Sequence, residues 1–129
     1  MKQLQLHSSK HGVINLASDL KIAETLVSRT KGLLGKKTLP KGAGLWIKRC
    51  NSIHTAFMKF PIDAVFVDAN LRVVSFYHGL KPWRITRIHL HASSVFELPT
   101  GVLQASGGIQ IGEQLLVREE ALEGVTDET

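Results

Sequence analysis

A chain of 129 residues with 43% apolar content has room for one hydrophobic core, and 21% charged residues with eleven glycines and four prolines exclude disordered, collagen-like and low-complexity classes. The net charge of +5 is unevenly spread: from Glu113 onward six acids face Arg118 alone, which leaves −5 there and +10 on residues 1–112. Residues 25–62 and 69–96 contain no acid, and a field of that sign draws phosphates, nucleic acid, an anionic small molecule or an acidic protein.

In chain order, Leu4 and Leu6, then Val13, Ile14 and Leu16, lie either side of Ser8, Ser9 and Gly12 and predict two strands joined by a turn. Residues 21–23 extend the second strand. Thr25 serves as the N-cap of a predicted helix through Leu34 that Gly35 ends, with Leu26, Thr30 and Leu33 as its buried stripe. Pro40, Gly42 and Gly44 lead through a turn to a strand at 45–48, and residues 50–61 are irregular and rich in functional groups. An apolar strand at 62–67, the turn Asp68-Ala69-Asn70 and a return strand at 71–77 form a hairpin. Gly79 and Pro82 break the chain. Residues 94–98 form a short strand, 99–108 a connection with one helical turn, and 114–117 the last strand.

Short strands about a dozen residues apart, without a βαβ rhythm, predict a mainly β fold. The expected form is a single-domain antiparallel β-sandwich or partly closed barrel with one short helix in its N-terminal half. The domain covers residues 1–118, and residues 119–129 are an acidic, frayed tail whose sign would draw it over the basic surface. No apolar run approaches the ~20 residues that cross a bilayer, so no membrane partner is expected. The first residues lack the apolar run and cleavage site of a secretory signal, and Cys50 has no second cysteine to pair with. The expected location is cytoplasmic.

Several segments carry a resemblance. Ala23-x-Thr25-x-x-x-Arg29-x-x-Gly32-Leu33-Leu34 is followed by Ile53-His54-Thr55-x-x-Met58-x-x-Pro61-Ile62-Asp63-x-x-Phe66-x-Asp68. Farther on stand Phe96-Glu97-Leu98-Pro99-x-Gly101 and Ile111-Gly112-Glu113. In this order they resemble the signatures of the bacterial and archaeal family called domain of unknown function 192, with the central motif in its His-Thr form. The resemblance covers residues 21–117 and implies a small, mainly β domain with one short helix and no established activity. Leu34 stands where the family often has methionine, and Ala56-Phe57 where a Phe-Trp pair is frequent.

Asp63 lies between Ile62 and Ala64 in an apolar strand, where an unpartnered carboxylate is costly. A structural ion pair with Arg29, or hydrogen bonds from residues 51–55, is expected to satisfy it. Cys50 and His54, four residues apart, are a thiol and a base within reach of one another for hydrolytic chemistry, although a single cysteine is more often a small buried hydrophobe. His89-x-His91 would present two imidazoles to a metal from one face of a strand, but no third ligand follows at a suitable spacing. Phe76, Tyr77, His78, Lys81, Trp83, Arg84 and Arg87 interleave aromatic and cationic groups in a composition that suits stacking and phosphate contact. No Gly-x-Gly-x-x-Gly or phosphate-loop sequence is present, and no cofactor, catalytic residue or metal is assigned. The expected function is binding: His54, Thr55 and Met58 from the irregular loop meet Trp83 and Arg84 from the later loop, facing an anionic small molecule or acidic protein. An enzyme using Cys50 and His54 or a metal at His89 and His91, and a nucleic-acid-binding module, are the alternatives.

Overall fold

The computed structural model describes residues 1–24, 38–56 and 58–119. The predicted helix at 25–34 with Arg29, the aromatic Phe57 and residues 120–129 of the acidic tail lie outside them. Among the described residues seven strands form one mixed sheet: β1 (Lys2–Ser8), β2 (Gly12–Ala23), β3 (Ala43–Lys48), β4 (Ile62–Val67), β5 (Val73–Leu80), β6 (Ser94–Pro99) and β7 (Gln114–Glu119). A short helix, α1 (Val102–Ala105), interrupts them. The spatial order is β5-β4-β6-β3-β2-β1-β7.

The mainly β expectation holds, while the antiparallel detail gives way at one pair. β2 and β3 run parallel, with Lys21 opposite Leu45 and Ala23 opposite Ile47. Parallel neighbours need a long crossover, and the stretch between Ala23 and Ala43 supplies it. The helix among the described residues lies late in the chain. Of the expected sandwich or partly closed barrel, the described residues form a single sheet that does not close into a barrel.

β4 and β6 sit at the centre of the apolar packing and are buried along nearly their whole length, including the polar Asp63, Ser94 and Glu97. Alternate side chains of β4 serve opposite faces. Val65 and Val67 join Leu4, Leu6, Leu20, Leu103 and Leu115 in one cluster. Ile62, Ala64 and Phe66 join Ile47, Ile53, Met58 and Phe60 in the other. Because the first cluster draws residues from β4 and from β1 and β7 across the sheet, the sheet curls around it. An Arg72–Gln114 bridge ties the edges at one end, with Val73 N donating to Glu113 O at 2.9 Å and Leu115 N to Leu71 O at 2.8 Å. The seam goes no further, so the barrel is not closed.

The motif residues at the C-terminal end hold this seam. Gly112 has φ 92°, a left-handed conformation that suits glycine, and its amide donates to Val73 O at 2.8 Å. Glu113 accepts from the amide and hydroxyl of Ser9 at 2.9 and 3.2 Å and from the Gln110 amide at 2.7 Å. Partial burial pushes its carboxyl upward, but these bonds and nearby Lys10 outweigh that and hold it below the ordinary range.

Candidate functional site

Asp63 is wholly buried, and its bonds explain its place in an apolar strand. The β4–β5 register shifts between Ile62 and Ala64, and Gly79 sits opposite the shift with φ 58°. A bulge of that kind turns an amide out of the ladder. The Gly79 amide donates to Asp63 Oδ1 at 2.8 Å, while the amides of Gly101 and Leu103 donate to Oδ2 at 3.1 and 3.0 Å. Asp63 therefore caps α1, whose N-cap Gly101 has no side chain to do so, and fastens it to β5. Of the expected donors in residues 51–55, Ile53 N donates to Thr86 Oγ1 and Thr55 N to Arg84 O, and Arg29 lies outside the described residues. Gly79 bends β5 without ending it, which corrects the predicted break.

Residues 51–55 pair with an outlying arm, residues 81–91. Thr55 N donates to Arg84 O at 2.8 Å, Trp83 N to Thr55 O at 3.0 Å, Thr86 N to Ile53 O at 2.9 Å and His89 N to Asn51 O at 2.9 Å. His54 and Ile85 form an antiparallel bridge between them. The two loops proposed from sequence thus meet along their backbones. Thr55 is fully buried and acts as the fastener: Oγ1 donates to Lys81 O at 2.6 Å and accepts from Arg84 N at 2.9 Å. Met58 is in the core. His54, Trp83 and Arg84 are exposed.

The pairing sets the direction of each side chain, since neighbours in an extended segment point to opposite sides. Thr86 and His89 are buried, so the residues flanking them turn outward. Trp83, Ile85, Ile88 and Leu90 are 62%, 78%, 61% and 84% exposed, which puts four large apolar groups on one short segment. Lys81, Arg84 and Arg87 are exposed among them. The sequence reading singled out Trp83 and the cations but missed the three aliphatic residues. The spacings Trp83-x-Ile85 and Ile88-x-Leu90 were the available signal. Phe76 and Tyr77 separate from this group, because they pack against the two core clusters.

Trp83 has φ 62°. It follows Pro82 in a turn, at the position and in the conformation where glycine usually follows proline, and a bulky residue there costs about 1–3 kcal/mol. Its amide bond to Thr55 O holds it in place.

His89 anchors the other end of the arm. Its Nε2 lies 2.8 Å from the Tyr77 hydroxyl, and its ring lies 4.5 Å from that of Phe66. Burial first, and the neighbouring Arg87 charge second, lower its pKa and favour the neutral ring. The unfolded chain then binds the proton more readily than the folded one. The stability this neutral ring contributes is complete above the ordinary imidazole value of 6.5 and falls as the pH drops below it toward the lower folded value. Urea titrations between pH 8 and pH 5 should show the wild type losing more stability than His89→Gln, which takes up no proton; parallel profiles would contradict this.

His91 is exposed while His89 is buried, and the segment is not a strand, so the two imidazoles do not share a face. Among the described residues no group of three His, Cys, Asp or Glu side chains is placed to hold a metal. Cys50 is buried in the second cluster and its thiol donates to Ser52 O at 3.0 Å, whereas the His54 side chain is exposed. Glu97 is wholly buried in β6, opposite Leu45 and Ala64. No described helix is long and apolar enough to cross a membrane.

This fold occurs in solved structures of other proteins. A protein of unknown function from Novosphingobium aromaticivorans superposes with a TM-score of 0.74 at 18% identity, covering 88% of this chain and 83% of its own. A protein from Sinorhizobium meliloti superposes with a TM-score of 0.76 at 17% identity, covering 91% of this chain and 94% of its own. A UPF0127 protein of Pyrococcus horikoshii is 38% identical over 92 residues, which is 67% of this chain and 77% of the relative. The model of the family DUF192, described as an uncharacterized ACR, matches residues 7–117, and the chain belongs to that family.

Proposed function

We propose that this chain is a non-catalytic binding domain that works in the cytoplasm and takes an anionic partner on the arm at residues 81–91. The observation that carries the reading is the arm itself. Four large apolar side chains and three cations project from one segment, while Thr55 and His89 are spent on holding it. Exposed apolar groups in such a cluster are typical of contact surfaces. The strained Trp83 points the same way, since a turn that would fold better with glycine keeps a tryptophan facing outward. In this reading His54, Trp83 and Arg84 make contact, with Thr55 and Met58 in support.

The Sinorhizobium meliloti protein is described as a candidate transcription regulator, but at 17% identity only its fold bears on this chain. Three of the four apolar groups on the arm are aliphatic and offer bases no stacking face, which disfavours nucleic acid.

The test compares two double charge reversals with the same net change on a heparin column. Arg84→Glu with Arg87→Glu alters the arm; Lys10→Glu with Arg118→Glu alters exposed positions away from it. The arm variant should elute at distinctly lower salt than the control. Equal elution would place the anion-binding surface elsewhere and end the proposal.

A further inference from the structure

Resting on that reading, we infer that the partner is an anionic lipid surface, met at its interface by the arm. An interfacial element needs apolar groups to enter the acyl boundary and cations nearby to meet the headgroups. Residues 81–91 supply them in alternation: Trp83, Ile85, Ile88 and Leu90 are exposed, with Arg84 and Arg87 between them. Tryptophan is the side chain most at home at that boundary. No acid occurs between Asp68 and Glu97, so nothing on the arm's own stretch of chain repels phosphate.

Charge complementarity also separates this occupant from a second copy of the chain. Two arms brought face to face would set Lys81, Arg84 and Arg87 against their own duplicates, and like charges across an interface disfavour it. A lipid interface supplies anions above hydrocarbon without requiring a matching groove. The expectation of no membrane partner rested on the lack of a spanning segment, which says nothing about a segment that lies on the surface.

The experiment is sedimentation of the full chain with vesicles of phosphatidylcholine alone or with about a third phosphatidylglycerol, at low and high salt. The wild type should bind the anionic vesicles at least about tenfold more tightly than the neutral ones, and salt should weaken binding. Arg84→Glu with Arg87→Glu, and separately Ile88→Ser with Leu90→Ser, should each reduce binding about tenfold or more. Trp83→Gly is the sharpest variant: it relieves the left-handed backbone, so its urea midpoint should equal or exceed that of the wild type while vesicle binding falls.

Loss of binding with an unchanged or raised midpoint supports the inference, since misfolding is then excluded. Several results would overturn it: no sedimentation, equal binding to both vesicle types, variants that bind like the wild type, or an arm-dependent dimer in light scattering without vesicles. Arm-dependent heparin retention without vesicle binding overturns the lipid assignment alone and leaves an anionic protein or polymer as the partner. Failure of both measurements removes the arm as a binding surface.

Discussion

Replacing Asp63 with alanine should lower the unfolding free energy by about 3–5 kcal/mol, because it strips the acceptor from three amides in a fully buried site. Hydrogen bonds to an ionised group contribute about 1.5–3 kcal/mol each, and an orphaned buried amide costs about 1–3 kcal/mol, so the sum is large even with partial relaxation. Asp63→Asn should cost less, about 1–3 kcal/mol, since it keeps one acceptor oxygen but turns an NH2 group toward the remaining amides. Urea denaturation decides both. A loss under about 1 kcal/mol for the alanine variant would show that water or a side chain replaces the carboxylate. Amide exchange should also speed up at Gly79, Gly101 and Leu103 together, because one group restrains β5 and α1 at once.

The second large effect belongs to Thr55→Val. Valine matches threonine in shape, so it fills the same space but removes the acceptor for the Arg84 amide and the donor to the Lys81 carbonyl. The site is fully buried, and the expected loss is about 2–4 kcal/mol. Thr55→Ser keeps the hydroxyl and should stay within about 1 kcal/mol of the wild type. If the arm is held chiefly from this point, hydrogen exchange at Trp83 and Arg84 should accelerate more than at strands β4 and β6. Uniform acceleration would mean instead that Thr55 belongs to the global core.

The strands were legible because their chemistry is local. Ile62 and Ala64 to Val67 form an apolar run broken by Asp63 alone, bounded by Pro61 and the Asp68-Ala69-Asn70 turn, and β4 occupies 62–67. Residues 94–98 and 114–117 were found on the same ground. The parallel β2–β3 pair was not legible, because it depends on where a long connection returns. Gly79 misled for a related reason: a bulge and a strand end use the same residue, and only the register of the opposite strand distinguishes them.

The candidate site was half legible. That the loop of His54, Thr55 and Met58 meets the loop of Trp83 and Arg84 was expected from their functional groups, and backbone hydrogen bonds join Thr55 to Trp83 and Arg84. Which side chains face outward did not follow, because His54 and Thr55 are adjacent and only the pairing partner decides which one is buried. Asp63 was recognisable as a carboxylate in need of partners, but backbone amides leave no trace in residue identities. Three such donors, one on β5 and two at the start of α1, could not have been named from the sequence.

The place of β1 bears on biosynthesis. It lies between β2 and β7, and its register against β7 joins Lys2 to Glu119, with Lys2 Nζ 2.8 Å from the Glu119 carboxylate. Within this sheet β1 is made well before β7, so the edge of β1 that faces β7 stays unpaired until translation has passed Glu119. Pairings between segments so far apart form slowly, and an open ladder is a template for other chains. Factors that shield that edge during translation should therefore raise the yield of folded protein.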